Sequence, residues 1–106
     1  MDPRKATSVE GWQKKYRWAR TWPGETGIDG KLHEDYVGYD GDDLIGRIYL
    51  DQQTLKSGRW RWAGGYPKGV RSPIMPNGGW LASAAEAACQ VEDYWDAMKA
   101  RLVTRP

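Results

Sequence analysis

The run Gly58-Arg59-Trp60-Arg61-Trp62-Ala63 constrains the fold more than any other stretch of the chain. Indole rings and guanidinium groups alternate there with a period of two, the repeat of an extended strand whose faces meet different surroundings. A strand with two tryptophans on one face needs an apolar cover. The C-terminal part supplies one: Ala84, Ala88, Val91, Trp95, Met98 and Leu102 recur at alternating spacings of four and three, forming a single apolar stripe on a helix. Ser83-Ala84-Ala85-Glu86 in front of it is a capping box, in which hydroxyl and carboxylate each accept from an open backbone N–H, so the helix is predicted over 83–103. Glu86, Glu92, Asp93 and Asp96 come early and Lys99, Arg101 and Arg105 late. That order suits the helix dipole, at about 0.3–1 kcal/mol per favourable contact.

Two further β signals precede the Trp/Arg strand. Asp35 to Tyr39 and Leu44 to Leu50 flank Asp40-Gly41-Asp42-Asp43, and an Asp-Gly pair between β-prone runs predicts an antiparallel hairpin, because Gly accepts the positive φ of a tight turn. Tyr16, Trp18 and Trp22, with Lys15, Arg17 and Thr21 between them, read as a strand over Lys15 to Trp22. A helix from Ser8 competes, since Trp12, Tyr16 and Ala19 also share a helical face, so 8–22 stays open between strand and helix. Gly79-Trp80-Leu81-Ala82 is a candidate short edge strand. The fold expected is α+β: a three- to four-stranded antiparallel meander packed on one C-terminal α-helix. One domain spans 1–106, with a flexible arm at 1–13, the sheet at 15–63, a long loop at 64–80 and the helix at 83–103.

Composition narrows the function. Seven Trp and six Tyr with no Phe require a core of large rings carrying polar handles. The net charge of +2 is small for a nucleic-acid tail or a membrane-seeking surface. Cys89 is the sole cysteine, which excludes an intrachain disulfide and leaves a zinc site only one thiolate, His33 and carboxylates. No apolar run approaches the length of a membrane span, and Met1 to Lys5 lead into no apolar stretch, so a cytoplasmic protein is expected.

Three stretches are candidates for function. If Trp60 and Trp62 face the helix, Arg59 and Arg61 face away, and if Ile48 and Leu50 also point inward, Arg47 and Tyr49 join that outer face, where Lys15 and Arg17 are candidate neighbours. Such a face suits a protein hot spot or nucleic acid, and otherwise serves as a solvated face. Pro73-Ile74-Met75-Pro76 offers two apolar side chains held extended, with Tyr66, Lys68 and Arg71 at the rim; the alternative is that Ile74 and Met75 close one end of the core. The carboxylates of Asp35, Asp40, Asp42 and Asp43 do not follow the spacing of a calcium loop, so no metal is expected. No nucleophile or acid/base constellation is visible, with His33 in an acidic loop and Cys89 on the polar side of the helix. A non-enzyme without cofactor or catalytic residues is therefore expected.

The segments Asp35 to Gly41, Ile45 to Tyr49, Gly58 to Trp62 and Ser83 with Glu86 to Ala88 resemble small uncharacterised proteins of α-proteobacteria and their prophages, across a little over half of the chain. The resemblance implies the hairpin, the paired-tryptophan strand and the capped helix, and carries no activity. In topology alone the arrangement is also similar to plant-type DNA-binding domains of three strands and a helix. The expected function is a small interaction module that binds a protein partner, a phage-type or regulatory inhibitor included, through Arg47, Tyr49, Arg59, Arg61, Tyr66, Ile74 and Met75. The alternative is nucleic-acid binding by the Arg/Tyr sheet face. Either a monomer or a homodimer fits.

Overall fold

The computed structural model describes residues 13–104, so the arm expected at 1–13 lies, apart from Gln13, outside the described residues. The elements are β1 (Arg17–Arg20), β2 (Asp35–Asp40), β3 (Asp43–Leu50), β4 (Trp60–Gly64), β5 (Gly78–Leu81) and α1 (Ala84–Thr104). The strands form one antiparallel sheet in the order β1-β2-β3-β4-β5, a meander backed by α1. The class is as expected, but the sheet has five strands rather than three to four. Both additional pairings are at the edges, where β1 and β5 hold four residues each. β5 opens on Gly78-Gly79, weak strand formers, and is held by lateral pairing to β4. Of 8–22, residues 8–12 lie outside the described residues; in the described part the strand reading holds at Arg17–Arg20, shorter than Lys15 to Trp22. No helix among the described residues is long and apolar enough to cross a membrane.

Strand parity follows the alternation. Ile48 pairs with Trp62, and both are buried against α1 in a core that includes Ala87, Ala88, Val91, Tyr94, Trp95 and Met98. Between Gly38 and Tyr39 the register slips, since Gly38 faces Gly46 while Tyr39 faces Leu44. Ile45 is thus the extra residue of a β-bulge, and its side chain is fully buried in the core. The β2–β3 turn matches a type II′ geometry, with φ +61° at Gly41 and no non-glycine residue at positive φ among the described residues.

What lets the helix approach is a row of glycines. Gly38, Gly46 and Gly64 lie opposite one another on β2, β3 and β4. A Cβ on Gly46 would stand 2.6 Å from the Ala63 carbonyl oxygen and 2.6 Å from Val91 Cγ1; one on Gly64 would stand 2.4 Å from Tyr94 Cδ1; one on Gly38 would meet the Trp18 ring at 3.0 Å. Side chains from α1 and β1 therefore rest directly on bare backbone.

Carboxylates fasten the layers, and they use the tryptophan handles. Glu92, fully buried, accepts from the backbone N–H groups of Lys15 and Tyr16 and from Trp18 Nε1 at 3.0 Å, tying the entrance of β1 to the helix. The sequence places it only among the early acidic residues that suit the helix dipole. Asp96 accepts from Lys15 Nζ and the Tyr16 hydroxyl, and Asp40 from Trp95 Nε1 at 2.9 Å and Lys99 Nζ at 3.1 Å. The capping box is present with one shift: Glu86 N–H donates to Ser83 Oγ at 3.1 Å, but the Glu86 carboxylate reaches the N–H of Ala82.

Candidate interaction site

The face of the sheet away from α1 is built by side chains that alternate with the core residues. Cross-strand pairing sets Asp35, Tyr49, Arg61 and Trp80 in one row, and Ala19, Val37, Arg47 and Ala63 in the next. Three guanidinium groups lie over three rings. Arg17 is 4.3 Å from the Tyr39 ring centre, Arg47 is 4.7 Å from Tyr49, and Arg61 is 4.6 Å from Trp80. Each such pair adds about 0.5–1 kcal/mol at an exposed site and, more to the point, fixes a long side chain in place.

Two buried carboxylates position this array. Asp35 is 7% exposed and accepts both forks of Arg47, the Thr21 hydroxyl at 2.6 Å and Trp22 Nε1 at 3.3 Å. Burial pushes the Asp35 carboxyl up, but the hydrogen bonds from Arg47, Thr21 and Trp22 outweigh it and hold the group below the usual carboxylate range. Asp51, 5% exposed, accepts from Thr54 Oγ1 at 2.6 Å, from the N–H groups of Gln53 and Thr54, and from Trp80 Nε1 at 3.0 Å. The Thr54 hydroxyl and the Gln53 N–H, with smaller help from Trp80, hold its pKa down to about 2. Asp51 thereby orients the indole under Arg61.

A pH test of this support follows. In the unfolded chain Asp51 binds a proton near about pH 3.9, whereas folded it stays ionised to about 2. A depressed carboxylate stabilises the fold above its unfolded pKa, and that contribution is lost as pH falls through the folded value. Asp51→Asn should therefore melt at a lower temperature than the parent at neutral pH. The gap should narrow between about pH 4 and about pH 2, as followed by tryptophan fluorescence. A gap independent of pH would show that the ionised carboxylate is not what supports Trp80.

Of the residues read from the sequence, Arg47, Tyr49 and Arg61 meet on this face. Arg59 is exposed just before β4. Lys15, expected beside them, turns instead to Asp96 on α1, because its N–H and ammonium both find helix carboxylates. Trp22, expected in line with Trp18, crosses to the outer face and donates to Asp35. The second candidate surface is separate. Ile74 is half-buried, its N–H set 3.3 Å from Met98 Sδ and its carbonyl accepting from the Tyr94 hydroxyl, so that loop is fastened to α1. Ile74 caps the core while Met75, 70% exposed, and Tyr66 project from it. The pair thus divides between the two roles considered for it. Trp80, Tyr39, Asp35 and Asp51 were not among the expected site residues. Trp80 sat on a suspected edge strand, but its lateral pairing with Arg61 has no local sequence signal.

His33 and the 27–34 loop border an open depression of about 530 Å³ beside Tyr49, with Ile28 and Leu32 exposed. Among the described residues no group of His, Cys, Asp and Glu side chains is arranged to hold a metal ion. Cys89 is half-buried next to Asp93, and burial followed by that carboxylate pushes its thiol up, away from the reactive thiolate. Comparisons with protein-family models, curated proteins and solved structures give no match to the chain.

Proposed function

We propose that the protein is a non-enzymatic interaction module that binds a protein partner through the outer face of its sheet. The observation that carries this reading is the set of three arginines fixed over Tyr39, Tyr49 and Trp80, with carboxylates between them. Rings and guanidinium groups already held in place lose little freedom on binding, and Arg, Tyr and Trp are the residue types that dominate interface energetics. Nucleic acid suits the face less well. A phosphate track needs consecutive free cations, whereas Asp35 occupies both forks of Arg47 and Asp51 stands beside Trp80. Arg17 and Arg61 are left, and neither makes an ion pair among the described residues.

Arg17→Glu with Arg61→Glu tests the reading. Because no ion pair among the described residues is broken and only the two ring contacts are lost, the double variant should keep the circular-dichroism spectrum of the parent and remain folded, with a melting temperature only modestly lower. It should also lose the proteins that the parent retains when immobilised and exposed to an extract of its source cells. Retention of the same proteins by the double variant contradicts the reading. Affinity of the parent for mixed-sequence DNA at low salt, falling steeply as salt rises and absent in the variant, would replace it with the nucleic-acid one.

A further inference from the structure

We infer that the open edge of β5 takes an extended, acidic segment of the protein partner as an added strand. The inference deepens the protein-binding reading of the sheet face and rests on it.

Hydrogen-bond phase along the sheet fixes which groups β5 leaves free. The N–H of Gly64 donates to the Asn77 carbonyl at 2.9 Å. With antiparallel alternation, Gly79 and Leu81 then also point their backbone groups at β4, opposite Trp62 and Trp60. Gly78 and Trp80 turn theirs outward. The β3–β4 side agrees, since Asp51 N–H donates to the Arg59 carbonyl and Gly65 N–H to Ile45, setting 59, 61, 63 and 65 toward β3. The edge thus offers two N–H and two C=O groups in ladder geometry.

The two glycines of β5 explain what surrounds those groups. A Cβ on Gly78 would lie 2.9 Å from Arg61 Nη2, and one on Gly79 would lie 3.1 Å from Trp62 Nε1. Arg61 on the outer face and Trp62 on the helix face therefore both lie over the β5 backbone, in space that glycine leaves clear. Both bring donors. Trp62 is 5% exposed and its indole N–H donates to no acceptor among the described residues; since no sealed polar side-chain atom there lacks a partner, this N–H keeps contact with solvent. By contrast Trp18, Trp22, Trp80 and Trp95 each donate to a carboxylate.

The chemistry of the occupant follows from this excess of donors. An added strand supplies backbone carbonyls to the N–H groups of Gly78 and Trp80, and a carboxylate on its outer side meets the Arg61 fork above the Trp80 ring. A second copy of the chain does not fit. Asn77 to Ala82 holds no carboxylate, and β5 against β5 would bring two Arg61 groups together. Natural edges are commonly guarded by charge, as the other edge of this sheet is by Arg17 and Arg20; β5 carries none.

Nuclear magnetic resonance titration with two acetylated, amidated hexapeptides tests this: one alternates Glu with Val, the other Lys with Val. The Glu peptide should shift the amide signals of Gly78 and Trp80 and the indole N–H of Trp62 to saturation, with the Lys peptide at least tenfold weaker. Arg61→Gln should remove most of that difference. Equal binding of both peptides, or no movement of Gly78 and Trp80, overturns the edge as the docking site. Shifts confined to Arg17, Arg47 and Tyr49 would overturn the edge while leaving the face reading intact. The face reading itself is decided separately, by the capture result of the double variant.

Discussion

Gly46→Ala should destabilise the protein by about 3 kcal/mol, the upper part of the range for overpacked cores, although it adds a single methyl group. The new Cβ would stand 2.6 Å from both the Ala63 carbonyl oxygen and Val91 Cγ1. The valine methyl can turn away. The carbonyl cannot, because it belongs to the neighbouring strand, so β3 and β4 must separate or α1 must lift. Either movement opens the core under Trp62 and Ile48. For a domain of this size such a loss lowers the melting temperature by roughly 10–20 °C. Adding Val91→Ala should recover only part of it, since the backbone contact persists. Full recovery would show that the helix, not the strand, is the obstacle. Thermal unfolding followed by circular dichroism decides between them.

Trp95→Ala should cost more, about 3–5 kcal/mol, a large share of the 5–15 kcal/mol typical of a whole domain. Trp95 is 2% exposed, packs in the central cluster, and donates to Asp40 at 2.9 Å. Alanine leaves a cavity and removes the first of the two groups that hold the Asp40 carboxyl below its usual range, the other being Lys99. Trp95→Phe separates the two effects: it keeps most of the ring and loses the N–H, and should cost about half as much. The measurement is denaturant unfolding. A cost for alanine below about 1 kcal/mol would place Trp95 outside the core.

Local periodicity carried much of this architecture. The Arg59-Trp60-Arg61-Trp62 alternation has one reading as a half-buried strand, and the stripe from Ala84 to Leu102 has one reading as a helix face, so the two packed layers were legible. So was the grouping of Arg47, Tyr49 and Arg61, because parity along a strand needs no knowledge of its neighbours. What escaped depends on contacts between distant segments. Glu92 reads as a surface charge until the N–H groups of Lys15 and Tyr16, 77 and 76 positions away, are brought onto it. Gly38, Gly46 and Gly64 read as weak points in strands, and their alignment beneath Trp18 and α1 exists only once register is set. Trp80 and Asp51 joined the site by the same lateral route. β5 itself has too little strand propensity to announce more than a suspected edge.

The outer sheet face as the contact surface is the central claim, and site-specific photo-cross-linking in the source cells tests it most directly. A photoreactive phenylalanine analogue in place of Tyr49 keeps an aromatic ring in the middle of that face, and the same analogue at Ala97, exposed on α1, reports the opposite side. A cross-linked protein adduct from position 49 with none from position 97 is the result predicted. Adducts from position 97 alone, or cross-links from position 49 to nucleic acid, would contradict it.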